Sequence, residues 1–171
     1  MLLHVLLGTA LAGDTYKIDS AHSAVVFKAL HFGAGHTWGR FNEFEGGFVS
    51  EEKVLSSVEV TVQAESVDTA IKKRDDHLRS PDYLNAGEFE TLSFTSTTCD
   101  VNGCTGDLSL HGVTKTVTVP MVYVGEGADP WGGYRQGWDA SFTVKLSDYG
   151  IDGAGAVGDE LHLFVSLEGK K

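Results

Sequence analysis

Apolar and polar residues alternate one for one along most of this chain. Val25, Phe27 and Ala29 are separated by Val26 and Lys28; Val58, Val60 and Val62 are separated by Glu59 and Thr61. The same rhythm carries Leu92 and Phe94, then Leu108 and Leu110, then Val117, Val119, Met121 and Tyr123. It returns at Ala140, Phe142, Val144 and Leu146, and at Leu161, Leu163, Val165 and Leu167. Successive side chains of a β-strand point to opposite faces, so a period of two marks a strand with one buried face. With Trp38 to Val49 added, the pattern predicts about eight strands. Glycine clusters such as Gly33-Ala34-Gly35, Gly46-Gly47 and Gly125-Glu126-Gly127 punctuate them. Regularly spaced strands of this kind make a sandwich or a barrel. The 21 glycines favour an antiparallel barrel, because glycine lets strands bend and bulge. One stretch breaks the rhythm: a short helix is predicted near residues 66–80, with Ser66 or Asp68 as its cap and Pro81 after its end. A lone helix between strands is well placed to plug a barrel mouth.

A chain of 171 residues with 42% apolar content suits one globular domain. The formal charge of −11 argues against nucleic acid and against docking on a membrane through a polybasic patch. Residues 1–12 read MLLHVLLGTALA, a short apolar run ending in small-x-small. The expectation is a signal peptide cleaved after Ala12, although no Lys or Arg precedes the run. Residues 13–171 are then the exported domain, periplasmic or secreted, with no integral membrane span. No Cys follows the leader, so no lipoprotein anchor is expected. The two cysteines, Cys99 and Cys104, flank Asn102-Gly103, a hairpin signal. A four-residue loop would make them face each other, whereas a strict Asn-Gly turn would offset them. In an oxidising compartment they are expected to form a disulfide.

Chemistry-bearing motifs are scarce. The seven histidines include His31 and His36 around a glycine-rich turn and His77 beside Asp75 and Asp76, but no metal-ligand spacing occurs. No GxSxG elbow or activated thiol is visible. The expectation is therefore no metal, no catalytic residue and no enzyme. A barrel hydrolase or metal-assisted enzyme using His and Asp residues, among them His31, His36 and His77, is the alternative. Whether the interior is open or filled is undecided by pattern alone.

Several segments taken in order carry a resemblance. Tyr16-Lys17-Ile18-Asp19-Ser20-Ala21-His22-Ser23 opens the domain, and Phe27, His31 and Gly33 follow in a Phe-x-x-x-His-x-Gly-like segment. Then come Gly39-Arg40-Phe41, Phe44-Glu45-Gly46 and Arg74-Asp75-Asp76-His77-Leu78-Arg79. Gly106-Asp107-Leu108-Ser109-Leu110-His111-Gly112-Val113-Thr114-Lys115 and Asp148-Tyr149-Gly150-Ile151 complete the series. Together they resemble the YceI-like family of lipid- and polyisoprenoid-binding proteins over about residues 15–169. The resemblance implies a lipocalin-like barrel with an isoprenoid quinone or polyprenyl chain in its lumen, no catalytic group and no cofactor beyond that lipid. Relatives often place Arg just before the Asp-aromatic-Gly segment; here Lys145-Leu146-Ser147 precedes Asp148. Candidate apolar ligand contacts are Phe27, Phe32, Phe41, Phe94 and Phe142. His31, Arg74, His77 and Arg79 are candidates for a head group, by charge-assisted or neutral hydrogen bonds. Arg74 and Arg79 have a second reading, as part of an Arg-Asp network that holds the helix on the barrel. The expected partner is a hydrophobic small molecule, carried by a monomer or homodimer.

Overall fold

The computed structural model describes residues 13–171; residues 1–12, expected from sequence to be a signal peptide, lie outside them. The strands are β1 (Asp14–Ile18), β2 (Ala24–His31), β3 (Gly35–Phe41), β4 (Phe44–Glu51), β5 (Val54–Gln63) and β6 (Val67–Asp68). After helix α1 (Lys72–Arg79) come β7 (Thr91–Asp100), β8 (Gly103–Leu110), β9 (Val113–Ala128), β10 (Tyr134–Lys145) and β11 (Val157–Lys170). All pairings are antiparallel, and β1 closes onto β11.

The eleven segments occupy eight wall positions. β1 and β2 are two halves of one kinked strand, because both pair with β11: Ile18 with Gly169 and Ala24 with Ser166. Residues 19–23 bulge out opposite Leu167 and Glu168 alone. β3 and β4 are likewise halves of one strand, the first beside β2 and the second beside β1. The ring then runs β5, β7, β8, β9, β10, β11. The result is the closed eight-stranded barrel that the alternation predicts. The single expected strand over 38–49 is broken at Asn42-Glu43, where the wall bends.

The helix is shorter than its sequence pattern. Residues 66–71 are not α-helical: Ser66 ends a 3-10 helix, and Val67–Asp68 pairs with Phe41 and Arg40 of β3. Val67 is β-branched and has no exposed surface, and burying it at the strand edge outweighs the local helix signal. Neither Ser66 nor Asp68 caps α1; the cap position is Ile71, without a side-chain bond. Asp68 instead accepts from the Ala70 N–H at 2.8 Å. The hairpin between β7 and β8 also differs in detail. Its two-residue turn is Val101-Asn102, since Asp100 pairs with Gly103 and Cys99 with Cys104. The cysteines therefore face each other and are joined.

Tight turns follow the geometry of right-handed strand twist. Glu52-Lys53 and His111-Gly112 each have two residues at positive φ, as type I′ hairpins require. Pro120 sits where the β9–β10 ladder ends, one residue before the last pair, Met121 with Ala140. Its missing N–H fits the end of a ladder.

Candidate functional site

The strand positions that alternate in sequence converge on one interior cavity of about 300 Å³. β2 contributes Val25, Phe27 and Ala29; β5 contributes Val58, Val60 and Val62. Leu92 and Phe94 come from β7, Leu108 and Leu110 from β8, Ala140 and Phe142 from β10. The β11 row Leu161, Leu163, Val165 and Leu167 completes the wall. Glycine makes room for one of the lining rings. Gly39 is the cross-strand partner of Phe27, and a Cβ there would stand 2.2 Å from the Phe27 ring. The ring lies across that gap and reaches Phe41, 5.6 Å away between centroids.

The two ends of the cavity are unlike. At one end lies an aromatic floor. Tyr16 stacks on Phe48 at 5.0 Å and Tyr123 meets Trp138 edge-on at 5.4 Å. The Trp138 Nε1–H donates to Gln136 Oε1 at 2.9 Å, and Gln136 Nε2 donates to Glu126 Oε2 at 3.0 Å. Burial raises the Tyr16 hydroxyl's pKa above its ordinary value, as it does for Tyr83 and Tyr149 near the opposite end. Cys104, joined to Cys99, packs into the same core.

At the other end is a mouth. Here the lining turns polar: His31 and Thr37 from β2 and β3, Arg74 and His77 from α1, and Tyr83 just beyond it. Leu78 and Leu84 supply the apolar underside of the helical cover. His77 Nε2 lies 3.3 Å from Asp82 Oδ2, and its ring meets Tyr83 edge-on at 5.0 Å. The Tyr83 hydroxyl donates to the Gly153 carbonyl at 3.2 Å, tying the cover to the β10–β11 connection.

Of the residues singled out from sequence, Phe27, Phe41, Phe94, Phe142, His31, Arg74 and His77 line the cavity. Phe32 and Arg79 do not: Phe32 is 70% exposed at the β2–β3 tip. Arg79 donates from Nε to the Glu65 carbonyl at 2.7 Å and from Nη2 to the Val67 carbonyl at 2.8 Å. Arg74 borders the cavity while its Nε and Nη2 donate to Thr69 Oγ1 and the Thr69 carbonyl, at 2.7 and 2.8 Å. The buried Asp75 accepts from the Thr69 N–H at 2.8 Å and from the Thr69 hydroxyl at 2.5 Å. Both arginines thus hold α1 against the segment before it. Sequence reasoning missed Thr37, Tyr83, Leu84, Ile151 and Val157, all of which line the cavity. Several sit in connections with no period to read. The Tyr83-Leu84 pair directly after Pro81-Asp82 was the available signal.

His36 does not border the cavity that His31 and His77 share. Among the described residues, the one group of three side chains close enough to share a metal is Asp19, His22 and Glu168. That group is engaged by cations of the chain itself: Arg135 Nη1 stands 2.9 Å from Asp19 and Lys170 Nζ 2.6 Å from it, and Arg135 also pairs with Glu168. Lys170, His22 and Arg135 hold the Asp19 carboxyl well below the usual carboxylate range.

Comparison with known proteins agrees with this geometry. A family model described as the YceI-like domain matches residues 16–169. A UPF0312 protein of Pseudomonas paraeruginosa is 46% identical, covering 95% of this chain and 89% of its own length. The crystal structure of Burkholderia cenocepacia BcnA superposes with a TM-score of 0.77 at 23% identity, over 88% of this chain and 98% of that one. A polyisoprenoid binding domain from Saccharophagus degradans superposes with a TM-score of 0.70 at 17% identity, over 90% and 97%.

Proposed function

The chain belongs to the YceI-like family, and we propose that it binds and carries an isoprenoid-type lipid, a quinone or polyprenyl derivative, inside the barrel. The observation that carries this reading is a cavity apolar along its length, floored at one end and polar only towards its mouth. A greasy tail would lie along the β2, β5 and β11 rows, and a head group would stay near His31, Thr37 and His77. The neighbour described as a polyisoprenoid binding domain supports the same class of ligand.

The energetics suit a long tail. Burying one methylene contributes about 0.8 kcal/mol, so a five-carbon isoprene unit contributes on the order of 3 kcal/mol. Association costs roughly 4–15 kcal/mol, so several units must be covered for tight binding. Few polar contacts are needed, and selectivity should follow chain length more than head group. Neutral or weakly polar heads are favoured, because the mouth arginines are already committed to Thr69, Glu65 and Val67.

We read the protein as non-catalytic and exported. The leader pattern and the Cys99–Cys104 disulfide support export to the periplasm or beyond. The test of the central claim is solvent extraction of protein purified from its native host, with mass spectrometry of the extract. An apolar lipid in stoichiometric amount is expected. Reproducibly empty protein that also takes up no quinone or polyprenol from detergent would overturn the reading, and stoichiometric metal with a hydrolytic activity would replace it.

A further inference from the structure

Four large apolar side chains stand in solvent on one side of the cavity mouth. Phe32 is 70% exposed at the β2–β3 tip, Trp38 53% on the outer face of β3, and Ile71 52% at the start of α1; Leu30 is more than a third exposed beside them on β2. β6 runs antiparallel to β3, so the chain leaving Asp68 heads towards this tip and brings Ile71 to the same side. The patch is continuous with the mouth, because His31 and Thr37, which line the cavity, are chain neighbours of Phe32 and Trp38.

The local backbone holds this patch outward at a cost. His31 to Ala34 forms a tight turn, closed by the Ala34 N–H on the His31 carbonyl at 3.0 Å. Phe32 and Gly33 occupy its centre with φ of 49° and 67°. Such a turn favours Asn at its first central position, and a bulky aromatic there is strained. Burial offsets little of the strain: the Phe32 side chain stays in solvent, with its ring 4.3 Å from the His31 ring and its N–H donating to the Ala156 carbonyl at 3.0 Å. Strain kept without packing gain points to a role outside the fold.

Charge completes the picture. The chain is acidic as a whole; of the cations that open α1 next to Ile71, Lys72 spans to Asp76 at 2.7 Å and Arg74 holds Thr69, which leaves Lys73 exposed to solvent. Lys28 lies 5.6 Å from the centroids of both Trp38 and Phe164 on the same outer face. The opposite end of the barrel carries Asp14, Glu51, Glu52 and Glu126 together with Lys53 and Lys171 around a polar hollow, so its lining stays net negative. Aromatic rings flanked by lysines are the composition of a membrane interface.

We propose that this side of the mouth docks on the surface of a phospholipid bilayer, with Phe32, Trp38 and Ile71 entering the headgroup layer and Lys73 facing phosphates; the aromatic rings, not a polybasic patch, carry the contact. Docked in this way, the mouth opens onto the membrane, so a lipid passes between bilayer and cavity without crossing water. The inference rests on the lipid-carrier reading but is tested apart from it. In a Trp131→Phe background, exposed tryptophan emission reports Trp38, since Trp138 is buried. Adding vesicles of phosphatidylethanolamine and phosphatidylglycerol should shift that emission to the blue and float the protein with the vesicles. Phe32→Asn with Ile71→Ser should weaken vesicle binding about tenfold, the equivalent of roughly 1.4 kcal/mol. Asn suits the turn and Ser suits the cap position, so the variant should melt no lower than the parent. Its uptake of polyprenol from detergent should stay unchanged. Absence of vesicle binding by the parent, or equal binding by the variant, overturns the proposal while leaving carriage intact. Loss of polyprenol uptake by the parent instead removes the carrier reading. Blue-shifted Trp38 emission seen only with added host protein, and not with vesicles, would assign the patch to a protein partner and also overturn it.

Discussion

The floor and the mouth of the barrel are built from the same strands but by opposite rules. At the floor, Tyr16, Phe48 and Trp138 are buried, and the Trp138 indole N–H is led out through Gln136 to Glu126. Towards the mouth, Phe142, Leu161, Leu163 and Val165 are half-buried along the cavity, and the cover is one eight-residue helix tied down by Arg74, Asp75 and Arg79. One end is packed like a protein core, while the other leaves its apolar surface for an occupant. A β-barrel of eight strands can be filled or hollow; here a close-packed floor and, beside a buried cluster of Leu110, Leu146, Tyr149 and Ile151 at the mouth, an open cavity share one barrel.

The sharpest way to break this comparison is to truncate one large ring at each end. Trp138→Ala should open a cavity in a close-packed region and lower stability by about 3–5 kcal/mol. Phe142→Ala removes a ring that already borders open space, so about 1–2 kcal/mol is expected. Chemical denaturation of both variants checks it. Equal losses would show that the cavity wall is as tightly packed as the floor. Next in size is a change in ligand affinity. Ala140→Phe adds a ring to the lumen wall where one isoprene unit would lie, displacing about 3 kcal/mol of burial. Roughly a hundredfold weaker polyprenol binding is expected, with the fold retained by circular dichroism. Unchanged affinity would place the tail elsewhere.

The lumen was legible in the sequence because strands obey a period of two. Val58, Val60 and Val62, or Leu161, Leu163 and Val165, mark the inward face directly, and those faces do line the cavity. The mouth was less legible because its geometry comes from pairings distant in sequence. Val67–Asp68 reads as helix until β3 supplies a partner for it. Phe32 reads as one more apolar ligand contact; only its place in a turn at positive φ, exposed to solvent, takes it away from the lumen. Arg79 looks like a free cation for a head group, yet two main-chain carbonyls claim it. Whether the bore was open could not be read from the alternation, since it depends on absent side chains such as that of Gly39 opposite Phe27.

A smaller effect belongs to the disulfide at the floor end. Cys99 and Cys104 enclose a short loop, and chain-entropy reasoning for so few residues gives about 2 kcal/mol. The double Ser variant should lose about that much, with no change in polyprenol affinity, because the bridge lies away from the mouth. A loss of affinity would mean that the floor and the mouth are mechanically coupled.

The smallest effect at neutral pH, and the one that separates the ends by titration, is at Asp19. The bulge over residues 19–23 lets Asp19 reach Arg135 and Lys170, and Arg135 also meets Asp129 and Glu168. Lys170, His22 and Arg135 together hold the Asp19 carboxyl well below its ordinary value, and the partners of Asp129 lower that carboxyl too. The sign follows from linkage. The folded state binds the proton less readily than the unfolded chain, so the stabilisation is complete above the ordinary carboxylate value of about 4. It is lost as pH falls further, towards the lower folded-state values. Stability should therefore be level from neutral pH down to about 5 and fall steeply below about 4. Asp19→Asn should cost a little stability at neutral pH and flatten that acid limb, as read by denaturation across the pH series. An acid limb of unchanged slope in the variant would mean that the cluster seals the kinked β1–β2 strand by packing rather than by charge.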